Sequence, residues 1–254
     1  MNADAQLAPG VPEDYYRRIS DAEQAHFWYR GMWATAAALL GERMHAHGRL
    51  LDAGCGTGGF LRFALAEGDF DRVAGTDVAS AAIELARERV PEAELSVAPL
   101  RQLPFPDASF ELVVSNDVLQ HVPESEVYES MLELRRVLAP GGAVLLRTNG
   151  SRRLRRERDD WRAYDAATLR SELEGVGLHV ARLTHANAAL SLLGALRGRV
   201  PHAPSPERHG IPTKPPSEVV TAIGRTALGI ETWFVTRGRS LPYGHTLFAL
   251  AVRK

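Results

Sequence analysis

The sequence lacks the residues that mark several classes of protein. Its 254 residues include one cysteine, Cys55, which excludes an internal disulfide framework and a cysteine-rich zinc site and is typical of a reducing compartment. The sequence also has no large excess of either positive or negative charge. The 30 Lys and Arg residues oppose 31 Asp and Glu residues, so a net charge of −1 gives no overall attraction to nucleic acid or to an anionic membrane.

Long apolar segments are missing as well. The longest largely apolar run, residues 34–40, is far too short to cross a bilayer. The first ten residues lack the charged start and apolar stretch of a secretory signal, so we expect a cytoplasmic protein. With 45% hydrophobic and 24% charged residues, the composition is that of a globular chain that buries a substantial core.

Short β-like runs alternate with helical patterns from residue 48 onward. Strands are predicted at residues 49–53, 72–77, 94–97, 110–115, 143–148, 179–183 and 245–253. Helices are predicted at residues 58–67, 80–90 with Ser80 as N-cap, 123–137, 166–175, 187–196 and 217–236. A turn at residues 138–142 is expected before the fifth strand. Such alternation predicts an α/β protein with a doubly wound, mostly parallel sheet.

Two segments depart from this alternation. Residues 1–47 precede the first strand, and Trp28, Met32 and Ala36 recur at helical spacing, which predicts an amphipathic helix within an N-terminal helical lid. Residues 197–236 are expected to form an insertion before the last strand, beginning with a proline-rich loop and ending in a helix. The main α/β domain is therefore predicted to span residues 48–254.

A glycine-rich turn, DAGCGTGG, connects the first strand to a helix. Glycines allow the chain to turn tightly and let a ligand approach main-chain N–H groups, and ligands of open α/β sheets bind at this place. Gly54, Gly56 and Gly59 also have the spacing of the dinucleotide fingerprint, and Asp77 follows where that fingerprint has its ribose-binding acid. The turn alone leaves open a nicotinamide or flavin enzyme and a user of another ribose-bearing cofactor.

Two carboxylates favour the second alternative. Asp52 directly precedes the glycines, where it would repel a diphosphate and attract a sulfonium or ammonium group. Asp77 ends the second strand and is able to accept both hydroxyls of a ribose. S-adenosyl-L-methionine (SAM) carries a ribose and a positive charge, and it fits this pair better than NAD does.

Four motifs follow one another along the chain: LLDAGCGTG, GTD, LPFPDASFELVVSNDVLQHV and LRRVLAPGG, at residues 50–58, 75–77, 103–122 and 134–142. In this order they resemble the motifs of the class I SAM-dependent methyltransferases, in particular the small-molecule branch related to ubiquinone- and menaquinone-pathway enzymes. The resemblance implies a Rossmann-like sheet of seven strands with the last one antiparallel, SAM as cofactor and a small-molecule methyl acceptor. The composition, rich in Arg and Ala, favours a role in secondary metabolism.

The resemblance also indicates which residues form the cofactor site. These are Asp52, Gly54, Gly56, Asp77, Val78, Leu100, Asn116, and Arg30 and Trp28 from the lid. Arg30 would pair with the cofactor carboxylate. The alternative interpretation is that the lid aromatics only anchor a helix to the core. Where the family has an acid for the adenine amino group, this chain has Ala98-Pro99-Leu100, which leaves the backbone of Leu100 as the expected contact.

His121, in the loop after the fourth strand, is the candidate general base, and a histidine that only packs at a helix start is the alternative. Methyl transfer from a sulfonium is an in-line displacement in which alignment alone can account for roughly 7–11 kcal/mol of the barrier. A base is therefore useful without being required. No metal is expected, because Arg147-Thr148-Asn149 stands where metal-dependent relatives have an Asp-Asn pair.

Two other functions remain open. One is an RNA or protein methyltransferase, and the other is a non-methylating SAM-binding protein or cyclase of the same fold. Six arginines within residues 152–162 form a basic cluster, but acidic residues interrupt it, which is typical of a solvated loop. We therefore expect a small-molecule partner, no nucleic acid and no membrane insertion, and the sequence does not predict the oligomeric state.

Overall fold

The computed structural model describes residues 14–150, 164–196 and 216–254. The helices are α1 (Tyr15–Ala25), α2 (Phe27–Leu40), α3 (Gly59–Glu67), α4 (Ser80–Arg89), α5 (Glu124–Val137), α6 (Ala166–Gly175), α7 (Ala188–Leu196) and α8 (Glu218–Thr236). The strands are β1 (Gly48–Ala53), β2 (Phe70–Asp77), β3 (Glu94–Val97), β4 (Phe110–Asn116), β5 (Leu138–Asn149), β6 (Leu178–Ala186) and β7 (Thr246–Arg253). Short 3-10 turns lie at Gly41–His45 and Leu119–His121.

The seven strands form one sheet in the order β3-β2-β1-β4-β5-β7-β6. The first five of these pair in parallel, whereas β7 runs antiparallel to both β5 and β6. This arrangement confirms the predicted doubly wound sheet with an antiparallel last strand. The chain moves outward from β1 to β3 and then returns to β4, so a crevice for ligands is expected at the carboxyl ends of β1 and β4.

Alternate residues of the central strands face two apolar layers, as the period of two in a β-strand requires. Leu51 and Val113 belong to the cluster that also contains the buried side chains of α5 and α6. Leu50 and Leu112 belong to the other cluster, which α2, α3 and α4 cover. Both faces of β1 and β4 are therefore buried at their centres, and this explains why consecutive apolar residues stand there, Leu50-Leu51 in β1 and Leu112-Val113-Val114 in β4.

Helix α2 packs closely on the second cluster and on α8. Met32, Ala36 and Leu40 are buried at helical spacing, which confirms the predicted amphipathic helix. Gly31 permits close approach, because a Cβ at this position would collide with Leu228 of α8. Helices α2 and α8 thus form one packed layer.

Two local predictions were wrong. The N-cap of α4 is Ala79 and not Ser80, and the Ala79 N–H donates to Asp77 Oδ1 at 2.9 Å. The Asp77 carboxylate therefore holds the backbone just before α4, and the N-cap residue Ala79 supplies no side-chain cap. The residues of the expected turn at 138–142 belong to β5, whose register with β4 shifts between Phe110 and Leu112. A positive φ of 78° at Gly141 accommodates this irregularity.

The arginine cluster at residues 152–162 and most of the proline-rich loop lie outside the described residues. Among the helices in the described ranges, none is long and apolar enough to cross a membrane.

Candidate functional site

The glycine turn after β1 forms the floor of the candidate site. Gly54, Gly56 and Gly58 have positive φ angles of 89°, 53° and 79°. A Cβ at Gly54 would collide with Val118 in the loop after β4, so only glycine fits at this position. A Cβ at Gly56 would meet no atom within 4 Å, which shows that this part of the turn borders open space. A ligand is thus able to approach the main chain here.

Asp77 holds this turn in place from the end of β2. Its Oδ2 accepts a hydrogen bond from the Gly56 N–H at 2.9 Å, and its Oδ1 accepts one from the Ala79 N–H. Burial raises the pKa of Asp77, while these N–H donors lower it. A carboxylate has about four acceptor positions, so capacity for a ribose hydroxyl remains. Ribose binding by Asp77 stays a prediction.

Asp52 is a buried carboxyl with an unpaired oxygen. The residue is 1% exposed, and its Oδ1 has no hydrogen-bond partner among the described residues. Burial raises the pKa of Asp52 to about 8, Arg147 lowers it, and Glu23 and Asp77 raise it further. A cation next to this group would favour its charged form. The environment of Asp52 therefore agrees with the cationic ligand that the sequence predicts.

Two more side chains with buried, unpaired atoms lie on the neighbouring strands. Asn116 ends β4, and neither atom of its amide group has a partner in the part of the chain that the structure describes. Arg147 of β5 lies opposite Asn116, is 3% exposed and has no partner there for Nε or Nη1. Because buried polar groups are rarely left unpaired, this concentration at the carboxyl ends of β1, β4 and β5 indicates where a polar ligand binds.

Helix α1 is fixed over the glycine turn by a buried ion pair. Glu23 of α1 pairs with Arg89 of α4 and accepts a hydrogen bond from Thr57 Oγ1 at 2.6 Å. Arg89 also donates to the Ser20 carbonyl oxygen at 2.8 Å. The Glu23 carboxylate lies 2.5 Å from the position that a Cβ at Gly59 would occupy. The start of α3 is therefore covered by α1.

The predicted lid residues occupy different environments. Trp28 is half-buried, and the Arg147 guanidinium carbon lies 5.2 Å from the centroid of its ring. Tyr29 is also half-buried, and burial raises its pKa, with contributions from Glu23 and Asp117. Arg30 lies on the exposed side of α2. The pairing of Arg30 with the cofactor carboxylate stays a prediction.

The remaining predicted residues follow β2, β3 and β4. Val78 is 55% exposed beside Asp77, and Leu100 is buried after β3. His121 is exposed on the 3-10 turn after β4, where its N–H donates to the Val118 carbonyl oxygen at 2.8 Å. The structure therefore places these residues at the carboxyl ends of the strands. Their roles toward adenine and toward the acceptor stay predictions.

Sequence reasoning missed Glu23 and Arg89, which are 66 residues apart and carry no local signal of their pairing. It also treated Arg147 only as the replacement of a metal ligand. A signal for Arg147 did exist, because an arginine within a strand that is otherwise buried and apolar is unusual.

Comparison with known proteins identifies the family. The chain matches the methyltransferase domain family over residues 51–146. It is 31% identical over 184 residues to a Mycolicibacterium smegmatis protein named "Probable S-adenosylmethionine-dependent methyltransferase", and the match covers 70% of this chain and 69% of that one. The chain belongs to the SAM-dependent methyltransferase family.

Other relatives of this methyltransferase chain match over shorter stretches. It is 35% identical to a Malonyl-[acyl-carrier protein] O-methyltransferase of Serratia marcescens, over 53% of this chain and 55% of the relative. It is 34% identical to the 27-O-demethylrifamycin SV methyltransferase of Amycolatopsis mediterranei, over 54% of this chain and 56% of the relative. The chain thus spans about half the length of these two relatives.

Solved structures share the fold of this methyltransferase chain at low identity. A SAM-dependent methyltransferase from Mesorhizobium loti has a TM-score of 0.57 at 19% identity, covering 91% of this chain and 100% of that one. The [4+2]-cyclase SpnF also has a TM-score of 0.57, at 17% identity, covering 86% and 80%. The same fold therefore occurs in proteins with different activities, and the function has to be argued from the site.

Proposed function

We propose that the protein transfers a methyl group from SAM to a small-molecule acceptor. The observation that carries this proposal is the buried Asp52, whose Oδ1 is unpaired beside the glycine turn that Asp77 holds. Asp52 would face the cationic end of the cofactor, and Asp77 its ribose. The backbone around Gly56 borders the open space in which a nucleoside would lie.

When bound, SAM supplies a methyl group that its sulfonium already activates, so the chain's own residues mainly bind, align and exclude water. Asn116 and the Gly54–Gly56 turn would hold the cofactor. Trp28, Tyr29 and α1 would shield it from solvent. His121 is the candidate to remove a proton from the acceptor, a role that typically contributes about 10²–10⁴-fold to the rate.

The helices next to the site and the named activities of two relatives support a small acceptor. Helix α1 is tied to α4 by the buried Glu23–Arg89 pair beside the glycine turn, and α2 packs with α8 on one face of the sheet. One relative is named for malonyl-[acyl-carrier protein] and another for 27-O-demethylrifamycin SV, and the second name supports this acceptor class directly. The rifamycin relative supports a role in secondary metabolism. The specific likeness to ubiquinone- and menaquinone-pathway enzymes stays a prediction.

Calorimetric titration with SAM, S-adenosylhomocysteine and NAD tests the cofactor assignment. We expect the first two to bind and NAD not to bind. Mass spectrometry then tests the reaction, because incubation with SAM and a panel of small hydroxyl, amine and carboxyl compounds should release S-adenosylhomocysteine. Thermal stabilisation by NAD alone would contradict the proposal. Binding of SAM without product from any acceptor would favour the non-methylating alternative.

A further inference from the structure

Arg147 has more hydrogen-bonding capacity than the described residues use. A guanidinium carries five N–H groups. One nitrogen, Nη2, donates to Asp117 Oδ2 at 2.7 Å. Nε and Nη1 carry three N–H groups between them and have no partner within the described ranges, although the residue is 3% exposed. Burying such donors without partners is costly, which makes a structural role alone an incomplete explanation.

The contacts of Arg147 orient its guanidinium but leave the Nε and Nη1 N–H groups without an acceptor in the described part of the chain. The Trp28 ring lies against the guanidinium, with 5.2 Å between the Cζ atom and the ring centroid, and this contact supplies no hydrogen-bond acceptor. Asp117 is held with a positive φ of 57°, and its N–H donates to the Arg147 carbonyl oxygen at 2.8 Å. The side chain and the backbone of Arg147 are therefore both tied to the loop after β4.

The position of Arg147 in the sheet separates it from the nucleoside end of the site. The glycine turn and Asp77 lie at β1 and β2, whereas Arg147 lies on β5, beyond β4. Neighbouring strands are about 4.8 Å apart, so Arg147 is about 10 Å from the carboxyl end of β1. This is the side from which an acceptor would meet a cofactor bound at β1 and β4.

We propose that Arg147 binds a carboxylate of the methyl acceptor, so that the protein acts on an anionic small molecule. This inference rests on the proposed function. A guanidinium offers planar pairs of N–H groups that match the two oxygens of a carboxylate, and the pairing is strongest where water is excluded. Asp117 competes for the same guanidinium, and its side chain is 31% exposed, so an incoming carboxylate is able to displace it.

Ligand-observed NMR with simple acids tests this inference on the whole chain saturated with S-adenosylhomocysteine. Malonate and benzoate are the anionic probes, and malonamide and benzamide are their neutral counterparts. We expect the acids to bind and the amides not to bind. Arg147→Gln should weaken binding of the acids at least about tenfold, and Arg147→Lys should restore part of it.

Asp117→Asn provides a second test that leaves the arginine in place. Removal of the competing carboxylate should strengthen binding of malonate and benzoate severalfold. Arg72→Gln is the matched control. Arg72 lies at an exposed position of β2 and forms an ion pair with Glu94 of β3, so this substitution also removes one positive charge. It should leave the affinity for the acids unchanged.

Comparison of two nucleosides determines whose carboxylate Arg147 binds. S-adenosylhomocysteine has an amino-acid carboxylate, and 5′-methylthioadenosine lacks it. If Arg147→Gln weakens binding of the first and not of the second, Arg147 binds the cofactor and the acceptor assignment is overturned. The acceptor assignment is also overturned if Arg147→Gln does not change the affinity for the acids. If Arg147→Gln does not fold, an unchanged affinity for the acids in Asp117→Asn overturns the assignment. A wild-type chain that binds no S-adenosylhomocysteine contradicts the proposed function instead.

Discussion

Two buried carboxyl groups, Asp52 at the end of β1 and Glu231 on α8, show how differently two regions of this molecule use the same chemistry. Both residues are at least nine-tenths buried, and burial raises the pKa of both. Glu231 Oε2 accepts from the Asn187 N–H at 2.7 Å, and its Oε1 accepts from the Ala189 N–H at 2.9 Å. Both Glu231 oxygens thus cap the first turn of α7, whereas Asp52 Oδ1 has no partner among the described residues.

Burial and a raised pKa therefore do not by themselves identify a functional group. The α7–α8 region satisfies its buried carboxyl internally, which is typical of a structural role. The region at the carboxyl ends of β1, β4 and β5 leaves Asp52, Asn116 and Arg147 with unpaired atoms. A polar ligand is able to supply partners for these atoms, and this difference predicts opposite results for substitutions of Asp52 and Glu231.

Glu231→Ala should have the largest effect on stability. It leaves two N–H groups at the start of α7 without an acceptor, and we expect a loss of about 3 kcal/mol in the free energy of unfolding. Urea denaturation measures this loss, and the affinity of the folded protein for S-adenosylhomocysteine should not change. Glu218→Ala, in the exposed first turn of the same helix, is the control and should cost no more than about 1 kcal/mol. Loss of nucleoside affinity with stability unchanged would place Glu231 in the site.

Gly54→Ala and Gly56→Ala should distinguish the effect of backbone strain on stability from the effect of a lost ligand contact on affinity within the glycine turn. Both positions have positive φ, which costs an alanine about 1–2 kcal/mol. Only the first also collides with Val118, so Gly54→Ala should destabilise the fold by about 2 kcal/mol or more, and Gly56→Ala by about 1 kcal/mol. Thermal unfolding measures both losses. Calorimetry should show a weaker affinity for SAM in Gly56→Ala, since its backbone borders the open space, and an unchanged affinity would exclude a ligand there.

Asp52→Asn should weaken binding without weakening the fold. Loss of the negative charge should reduce the affinity for SAM about tenfold, or about 1.4 kcal/mol. The stability of the ligand-free protein should stay constant or rise, because burial already penalises the charged carboxyl. Calorimetry and urea denaturation measure the two effects. Asp71→Asn, at an exposed position of β2, is the control.

A comparison of SAM with S-adenosylhomocysteine sharpens this experiment. A larger loss for SAM would place Asp52 near the sulfonium, and equal losses would place it near the amino group that both ligands carry. An affinity for SAM that Asp52→Asn does not change would contradict the role of Asp52.

The pH dependence of stability tests Asp52 without any ligand. The pKa of Asp52 rises from its usual 3.8 to about 8 in the folded protein, so the folded state keeps a proton that the unfolded state has released. The stability from this group is complete below pH 3.8 and is lost as the pH rises toward about 8. Urea midpoints across this range should therefore fall less steeply in Asp52→Asn than in the wild type. Identical slopes would show that Asp52 does not titrate in this window.

Much of the fold followed from local patterns. The alternation of apolar runs predicted all seven strands, and the glycine spacing placed the turn between Asp52 and the helix that follows β1. These features depend on neighbouring residues, because a strand buried on both faces needs a continuous apolar sequence and a left-handed turn needs glycine. One error concerned a local contact, because the Ala79 N–H donates to Asp77 Oδ1 two residues earlier and α4 begins after Ala79. The other depended on tertiary structure, because Leu138 pairs with Phe110 of β4 and so extends β5 back to residue 138.

The amino-acid sequence by itself determined the parallel sheet, the glycine turn and the two aspartates at the ends of β1 and β2. Tertiary structure alone decided which buried charges have partners. Glu23 pairs with Arg89, 66 residues away, and Glu231 accepts from the Asn187 N–H at the start of α7, 44 residues away. Arg147 pairs with Asp117 through only one of its three guanidinium nitrogens. The physical reason is that burial and pairing depend on which side chains the fold brings within hydrogen-bonding distance. No local pattern encodes contacts between elements so far apart in the chain.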